Sequence, residues 1–503
     1  FYDTFYACCR NIIPLVKRLE NHQHNDSGSF QLYYKGILAS RSGVYQGLEA
    51  SKSDNGGTSY GSVHFKKYAS QSIAYNTMLI ADETGDGLQK NLGEPGSFAD
   101  MMKPEHNVSQ VKGEEIDPQN PQKPHYTYLK GDISKAYDEN KLESFDRSFM
   151  FLNLFNDKVP AALIVYDRVN TPNSGFKKTW LLHTQEEPAI DGAKVTVKRT
   201  IGSQSLNMGY NGKLTVDNLL PQNSDISIVG SEETGWSNVN GVDYPGYPSA
   251  LKTSEGNSYR VEISPSAASQ LDYFLNVLQV SDADEENYIP TEKIVADEFY
   301  GVKIADRVVL FGKNRDRVDS GFELETYGSD NYEYTICDVA AGVWEVTAGD
   351  ENQRVEVSEK GGVLAFTAKG GKISIKPVTD GNAGAITAEP IKKADGREIR
   401  VRINDVFVYS SKRPTIVRNV LMLPISLFER YYGLTSVTDG GVTTVQNEKG
   451  TVLMTVDENS KLVSVGEKSE VYEVYRDGGE LMVPARAVAE SFGGTISWDA
   501  LTD

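Results

Sequence analysis

The stretch Asn21-His22-Gln23-His24-Asn25-Asp26-Ser27-Gly28-Ser29-Phe30-Gln31-Leu32-Tyr33-Tyr34-Lys35-Gly36 sets imidazole, carboxylate, amide and hydroxyl groups directly ahead of an aromatic run that favours a strand. Two shorter segments share its chemistry, Gly61-Ser62-Val63-His64 and Ala74-Tyr75-Asn76-Thr77, and the three together hold three of the six histidines. His22 and His24 stand two apart, the spacing that puts both side chains on one face of a strand, and Asp26 continues that face. Such a face can do acid/base work or hold a cation. The same residues can equally be hydrogen-bonded polar groups on an ordinary sheet.

From about residue 21 to 376 the pattern is that of strands. Phe30 to Tyr34, Ala161 to Val165, Lys194 to Lys198, Tyr259 to Ile263, Val308 to Phe311 and Val363 to Thr367 are short, rich in β-branched or aromatic residues, and separated by Gly, Asn, Asp and Pro. A long run of strands without interleaved helices predicts a mainly β fold, a large antiparallel β-sandwich with sheets stacked face to face. The polar segment Asp82 to Pro124 is too long for a hairpin and reads as a lid or binding loop. Its Asp82-Glu83-Thr84-Gly85-Asp86 cluster offers oxygens to calcium but lacks the ligand spacing of a calcium loop, and Asp282-Ala283-Asp284-Glu285-Glu286 reads as solvated surface. Residues 1–19 carry an apolar stripe through Phe1, Phe5, Cys8, Ile12, Leu15, Val16 and Leu19, a helix kinked at Pro14.

With 503 residues the chain can bury a large core, and its length suggests about three domains. The net charge of −19 argues against nucleic acid as a partner. An anionic ligand would need a local basic patch, for which Lys35, Arg41, Lys66, Lys67, Lys177 and Lys178 are candidates; each also fits solvated surface charge. The 27 tyrosines suit exposed sheets and the flat faces of sugars. Cys8, Cys9 and Cys337 are too few, and odd in number, for a disulfide framework. No stretch is long and apolar enough to span a membrane, and a sequence starting at Phe1 without an initiator methionine reads as an interior fragment, so a missing signal peptide carries no information.

Residues 377–396 read as a linker, with Pro377, Gly381, Gly384, Pro390 and Gly396 among small and charged residues. Beyond it lies a repeat. Leu421-Met422-Leu423-Pro424 recurs as Leu481-Met482-Val483-Pro484, and each copy predicts a strand followed by an amphipathic helix, Ile425 to Tyr432 or Ala485 to Phe492, closed by Gly433 or Gly493. Residues 397–503 resemble the stalk domain related to the N-terminal domain of copper amine oxidases, found on secreted and surface-bound bacterial proteins. They contain no histidine or cysteine and hence no copper set. The repeat stops as it would enter another strand, so this domain reads as truncated at its end.

The stretch from His22 to Gly43 resembles the β-domain of the heparinase II/III family of polysaccharide lyases, with its His-x-His-x-Asp-x-Gly-Ser-Phe pattern, Tyr-Tyr-Lys-Gly strand and Asp-Ser-Gly-x-Tyr block. Tyr60-Gly61-Ser62-Val63-His64 with Ile73-Ala74-Tyr75-Asn76-Thr77 approaches a second family block, and Phe176 to Thr184 a third. The resemblance implies a domain order of 1–20 as the end of a truncated helical toroid, 21–376 as the β-sandwich domain, a 377–396 linker, and the 397–503 stalk. It implies an extracellular or cell-surface bacterial protein whose partner is an anionic polysaccharide, with the stalk as a possible route to the cell wall.

Cleaving a uronic acid glycoside by β-elimination requires removal of the C5 proton, stabilisation of the carboxylate-enolate and protonation of the departing O4. The resemblance gives His22 a catalytic role, with Asn76 as the second catalytic candidate and Arg41, Tyr75, His64 and Lys35 as substrate-binding candidates; further catalytic groups would come from the toroid. It also makes His24 a zinc ligand. Here the sequence departs from the family, because Arg41 stands at the expected aspartate and Tyr75 at the expected second histidine. A cation cannot ligate zinc and a neutral tyrosine ligates poorly, so no cofactor is expected, and the Arg41 guanidinium can take the place of the metal's charge beside Asp26. Gly57-Thr58-Ser59-Tyr60-Gly61 fits a nucleophile pattern but lies in a polar loop rather than between a strand and a helix. His183 alternates with apolar residues and reads as a core or cleft-wall histidine. The first functional reading is a polysaccharide lyase; the alternative is a non-catalytic glycan-binding or cell-surface protein derived from that family.

Overall fold

A computed structural model describes residues 24–48, 61–91, 107–120, 123–202, 209–378 and, with short interruptions, 401–491. His22, the expected 1–19 helix, most of the 377–396 linker and the Gly57 to Tyr60 part of the nucleophile-like pattern lie outside the described residues. The described residues fall into two compact units, those of Phe1–Glu115 with Tyr126–Pro377, and those of Ile116–His125 with Val378–Asp503.

The first unit is mainly β, as the sequence predicts. Its central layer is an eight-stranded sheet in which Tyr126–Asp132, Ser144–Asn153, Ala161–Asn170 and Leu271–Asp282 pair in succession, all antiparallel. Both faces of this layer are covered, which explains why Ala161 to Val165 reads as an unbroken apolar run rather than an alternation. On one face, Phe149, Leu163 and Phe274 pack with Trp180, Leu182 and Val261 of a four-stranded sheet. That sheet runs in the order Ser224–Val229, Tyr259–Pro265, Lys177–Thr184 and Met78–Ala81. On the other face, Met150, Ile164 and Leu275 pack with Val302, Val309 and Phe311 of a seven-stranded sheet, and Tyr166 stacks on Phe311 with ring centroids 5.0 Å apart. The stacked sheets of the expected β-sandwich therefore form three layers. A buried Lys130–Asp338 pair at 2.7 Å crosses that second interface.

The segment that opened the sequence reading is mostly not strand. Only Leu32–Tyr33 and Ile37–Ala39 pair, and residues 24–31 form turns and irregular chain. The expected strand face shared by His24 and Asp26 is thus absent. The physical reason is a left-handed turn at Gly28, with φ +74°, and a backbone whose partners are side chains rather than a neighbouring ladder. The long loop from Asp82 also contains a strand, Gln110–Ile116, at the edge of the eight-stranded sheet.

In the second unit the two copies of the repeat meet. Thr415–Val417 and Val420–Pro424 form one hairpin, Tyr475–Asp477 and Glu480–Pro484 the other, and the second strands pair antiparallel through Leu423 and Val483. Equivalent strands pairing antiparallel give a local two-fold relation between the copies. Helices Ile425–Tyr432 and Ala485–Ser491 follow their strands without a break and bury Leu427, Phe428, Ala487 and Val488 in a common core. A five-stranded antiparallel sheet, Thr435–Asp439 through Lys468–Val471, connects the copies in sequence.

Candidate functional site

Side chains from the Ala74 to Thr77 block and from Gln89 fix the 24–44 segment in place. Thr77 Oγ1 and Gln89 Nε2 donate to the Ser27 carbonyl at 2.9 and 2.8 Å. Asn76 Nδ2 donates to the Phe30 carbonyl at 2.8 Å. From the central sheet, Arg147 donates to the carbonyls of Gly28 (2.7 Å) and Asn76 (3.0 Å) while its other nitrogens make a two-point contact with Asp167 at 2.7 and 2.8 Å. This ion pair is fully buried, so burial pushes the Asp167 carboxyl up and the Arg147 charge opposes it. Arg147 thereby holds two motif blocks against one sheet.

Several expected site residues serve this scaffold. Asn76 is 1% exposed, and beyond its bond to Phe30 its Oδ1 accepts from the His183 backbone N–H at 2.7 Å and lies 3.2 Å from His183 Nδ1. The structure thus gives Asn76 a joining role in the interior, not a place facing a ligand. His183 is the core histidine that the alternation predicts, and burial followed by the nearby Arg260 charge pushes its pKa down to about 3. His64 is equally buried. Its Nε2 accepts from the Val44 N–H at 3.1 Å and its Nδ1 donates to the Tyr244 carbonyl, so at this position, a substrate-binding candidate by resemblance, both nitrogens pin backbone in the interior. Gly43 lies against it with φ +82°, where an added Cβ would stand 2.7 Å from Ala69 Cβ and 3.0 Å from His64 Nε2. Lys35 turns elsewhere and forms a partly exposed ion pair with Asp282 at 2.5 Å, shared with the Tyr34 hydroxyl at 2.9 Å. Of the other basic candidates, Lys178 is buried against Asp272 at 2.7 Å, whereas Lys66, Lys67 and Lys177 are exposed.

His24, Arg41, Tyr75 and Tyr45 form a separate cluster. His24 is half-buried; its Nδ1 meets the Tyr75 hydroxyl and lies 3.1 Å from the Ala69 carbonyl, and its Nε2 lies 3.2 Å from the Tyr45 hydroxyl. A neutral ring is satisfied in either tautomer: Nδ1–H donates to Ala69 while Nε2 accepts from Tyr45, or Nδ1 accepts from Tyr75 while Nε2–H donates to Tyr45. Ala69 ends a single π-helical turn, Phe65–Ala69, whose Phe65 ring stacks on Tyr45 at 4.9 Å and meets His24 edge-on at 5.2 Å. Arg41 Nη1 donates to the Tyr75 hydroxyl at 3.4 Å, and its guanidinium lies 5.6 Å from the Tyr45 ring centroid. Burial raises the Tyr75 phenol far above its ordinary value, the Asp26 charge raises it further, and Arg41 opposes both, so Tyr75 stays neutral. Burial acts against the Arg41 charge, and the Tyr75 and Tyr45 hydroxyls more than offset it.

The chemistry of this donor set does not fit zinc. Arg41 and Tyr75 converge on His24 with a cation and a neutral phenol, and among the described residues no three His, Cys, Asp or Glu side chains gather. The acidic cluster at Asp82 is likewise filled from within the chain. Lys141 Nζ lies 2.9 Å from the Asp86 carboxylate and 3.4 Å from Asp82, and donates to the Asp86 carbonyl. Sequence reasoning singled out neither Tyr45 nor Arg147. Tyr45 was legible as the last residue of Arg41-Ser42-Gly43-Val44-Tyr45, and the adjacent charges Asp146-Arg147 and Asp167-Arg168 within two largely apolar strands were the signal for Arg147 and Asp167.

Two family models match the chain: the heparinase II C-terminal domain over residues 293–377 and the copper amine oxidase N-terminal domain over residues 400–503. No curated protein matches. Similar solved structures include a heparan sulfate lyase HepC mutant from Pedobacter heparinus, at 14% identity and a TM-score of 0.38, covering 61% of this chain and 39% of that one. A heparinase III structure matches at 13% identity and a TM-score of 0.34, covering 59% of this chain and 36% of that one. The chain therefore spans well under half the length of these proteins. The chain resembles heparinase-type polysaccharide lyases in its β region and carries a stalk-like domain at its C-terminal end.

Proposed function

We propose that this chain supplies the β-sheet side of a polysaccharide lyase acting on an anionic, uronate-containing glycan by β-elimination. The observation that carries the reading is the cationic, aromatic-walled cluster of Arg41, Tyr45, His24 and Tyr75, built from the motif blocks that resemble the heparinase II/III family. A partly buried guanidinium held on a tyrosine ring is suited to a sugar carboxylate, and the charge it provides favours the enolate that forms when the C5 proton leaves. His22 is assigned a catalytic role by the resemblance, either in proton transfer or in holding the sugar carboxylate. Asn76 and His64 are assigned support of the site through their bonds to the Phe30 and Val44 backbone, whereas Lys35, paired with Asp282, remains a substrate-binding candidate by resemblance alone. The protein is proposed to work outside the bacterial cell, with residues 397–503 linking it to the surface.

A glycan-binding protein without catalysis is the second reading, and the observation favouring it is that Arg41 and Tyr75 stand where the family has metal ligands. Incubating the full-length protein with a panel of uronate glycans while following the ultraviolet absorbance of unsaturated uronate decides between them, with His22→Ala as control. Product that disappears in the variant supports the lyase. Binding without product supports the second reading, and neither binding nor product on any glycan overturns both.

A further inference from the structure

We infer that the His24 cluster is a metal-independent centre in which Arg41 takes over the charge, and the hydroxyls of Tyr75 and Tyr45 the orienting contacts, that a bound zinc ion would provide. The inference starts from the family resemblance of these motif blocks but concerns only how this chain's own residues hold His24, so it stands or falls separately from lyase activity.

Three observations support it. Both His24 ring nitrogens are within hydrogen-bonding distance of oxygens of the chain, Tyr75 and Ala69 on one side and Tyr45 on the other. A metal bound through either nitrogen would displace one of those contacts. The half-buried Arg41 reaches the Tyr75 hydroxyl at 3.4 Å and lies 5.6 Å from the Tyr45 ring centroid, so it contacts both tyrosines that bond His24. A guanidinium there repels a dication at short range, so it acts against metal entry as well as replacing its charge. Contact with both the Tyr45 ring and the Tyr75 hydroxyl also favours one guanidinium orientation, which the point charge of a lysine would not.

The test uses the full chain and reads metal content and thermal stability rather than activity. After dialysis against zinc and then metal-free buffer, the wild type should hold less than about 0.1 zinc per chain, and neither zinc nor a chelator should shift its Tm. About one zinc per chain, lost together with Tm on chelation, would overturn the inference. The double variant Arg41→Asp/Tyr75→His places a carboxylate and a second imidazole at the two contacts around His24. It should take up about one zinc per chain and show a zinc-dependent rise in Tm. If that folded variant still binds none, the two positions do not converge on His24 and the inference also fails. A double variant that does not fold leaves the wild-type metal content as the deciding measurement.

Discussion

The motif blocks divide between two settings in the first unit, and the division is not one of residue type. In the interior setting, Asn76, His64, His183 and Arg147 are nearly sealed from solvent and direct their polar atoms at backbone groups and at Asp167. In the half-exposed setting, His24, Arg41 and Tyr45, together with the buried Tyr75, direct their polar atoms mainly at one another. Groups that bond to backbone fix the chain's path. Groups that bond to each other through side chains retain the freedom to exchange a partner for a ligand. A histidine three or four residues from a motif glycine, as His64 is from Gly61 and His24 from Gly28, can belong to either setting, and only its partners say which.

The sharpest break between the settings should come from Arg147. Arg147→Ala leaves Asp167 as a buried, uncompensated charge and strands the Gly28 and Asn76 carbonyls, so a loss of about 3–5 kcal/mol in urea unfolding is expected. Replacing both partners together, Arg147→Met with Asp167→Leu, should cost less than either single change, because no lone charge remains. If the single variants unfold at the wild-type midpoint, the interior clamp is not what holds the segment. Asn76→Ala comes next. It abandons the Phe30 carbonyl and the His183 N–H, at about 1–3 kcal/mol for each buried group left unpaired. Should Asn76→Ala keep full stability yet abolish an otherwise measurable lyase activity, its assignment to the interior would be wrong.

His183 gives the interior setting a pH signature. Its native pKa of about 3 lies below the ordinary 6.5, so below pH 6.5 the unfolded chain binds a proton that the native ring refuses. The contribution of this residue is therefore fully present above pH 6.5, is lost as the pH falls, and stops changing once the native ring itself protonates near pH 3. The slope reaches about 1.4 kcal/mol per pH unit for one such group. His183→Gln should flatten the stability profile in that window relative to wild type. Parallel profiles for the two proteins would show that His183 is not buried neutral.

The fold was largely legible because burial on two faces writes itself into composition. Ala161 to Val165 and Tyr259 to Ile263 identified strands whose observed bounds, Ala161–Asn170 and Tyr259–Pro265, merely run further. The repeat at Leu421 and Leu481 likewise predicted both helices, although not that equivalent strands would pair. Residues 24–31 were misread because alternation of His22, His24 and Asp26 imitates a strand where the backbone is held by Thr77, Gln89, Asn76 and Arg147, partners that lie 46 to 119 positions away. Long-range side-chain bonds of that kind leave no periodic trace. For the same reason the sequence placed Asn76 and His64 at the site when their hydrogen bonds place them behind it.

The smallest stability effect is expected where the functional effect should be greatest. Arg41 is only half-buried and its 3.4 Å contact with Tyr75 is long for a hydrogen bond, so Arg41→Ala should cost no more than about 1 kcal/mol of folding stability. A carboxylate held by that guanidinium would lose a charge-assisted contact, and glycan affinity measured by calorimetry should fall by about tenfold or more. Arg41→Lys separates charge from shape. If the site needs only a positive charge, lysine restores affinity; if the orientation fixed by Tyr45 and Tyr75 matters, lysine remains close to alanine. Unchanged affinity in both variants would mean that Arg41 faces inward for His24 alone, and the half-exposed setting would then be a second scaffold rather than a binding surface.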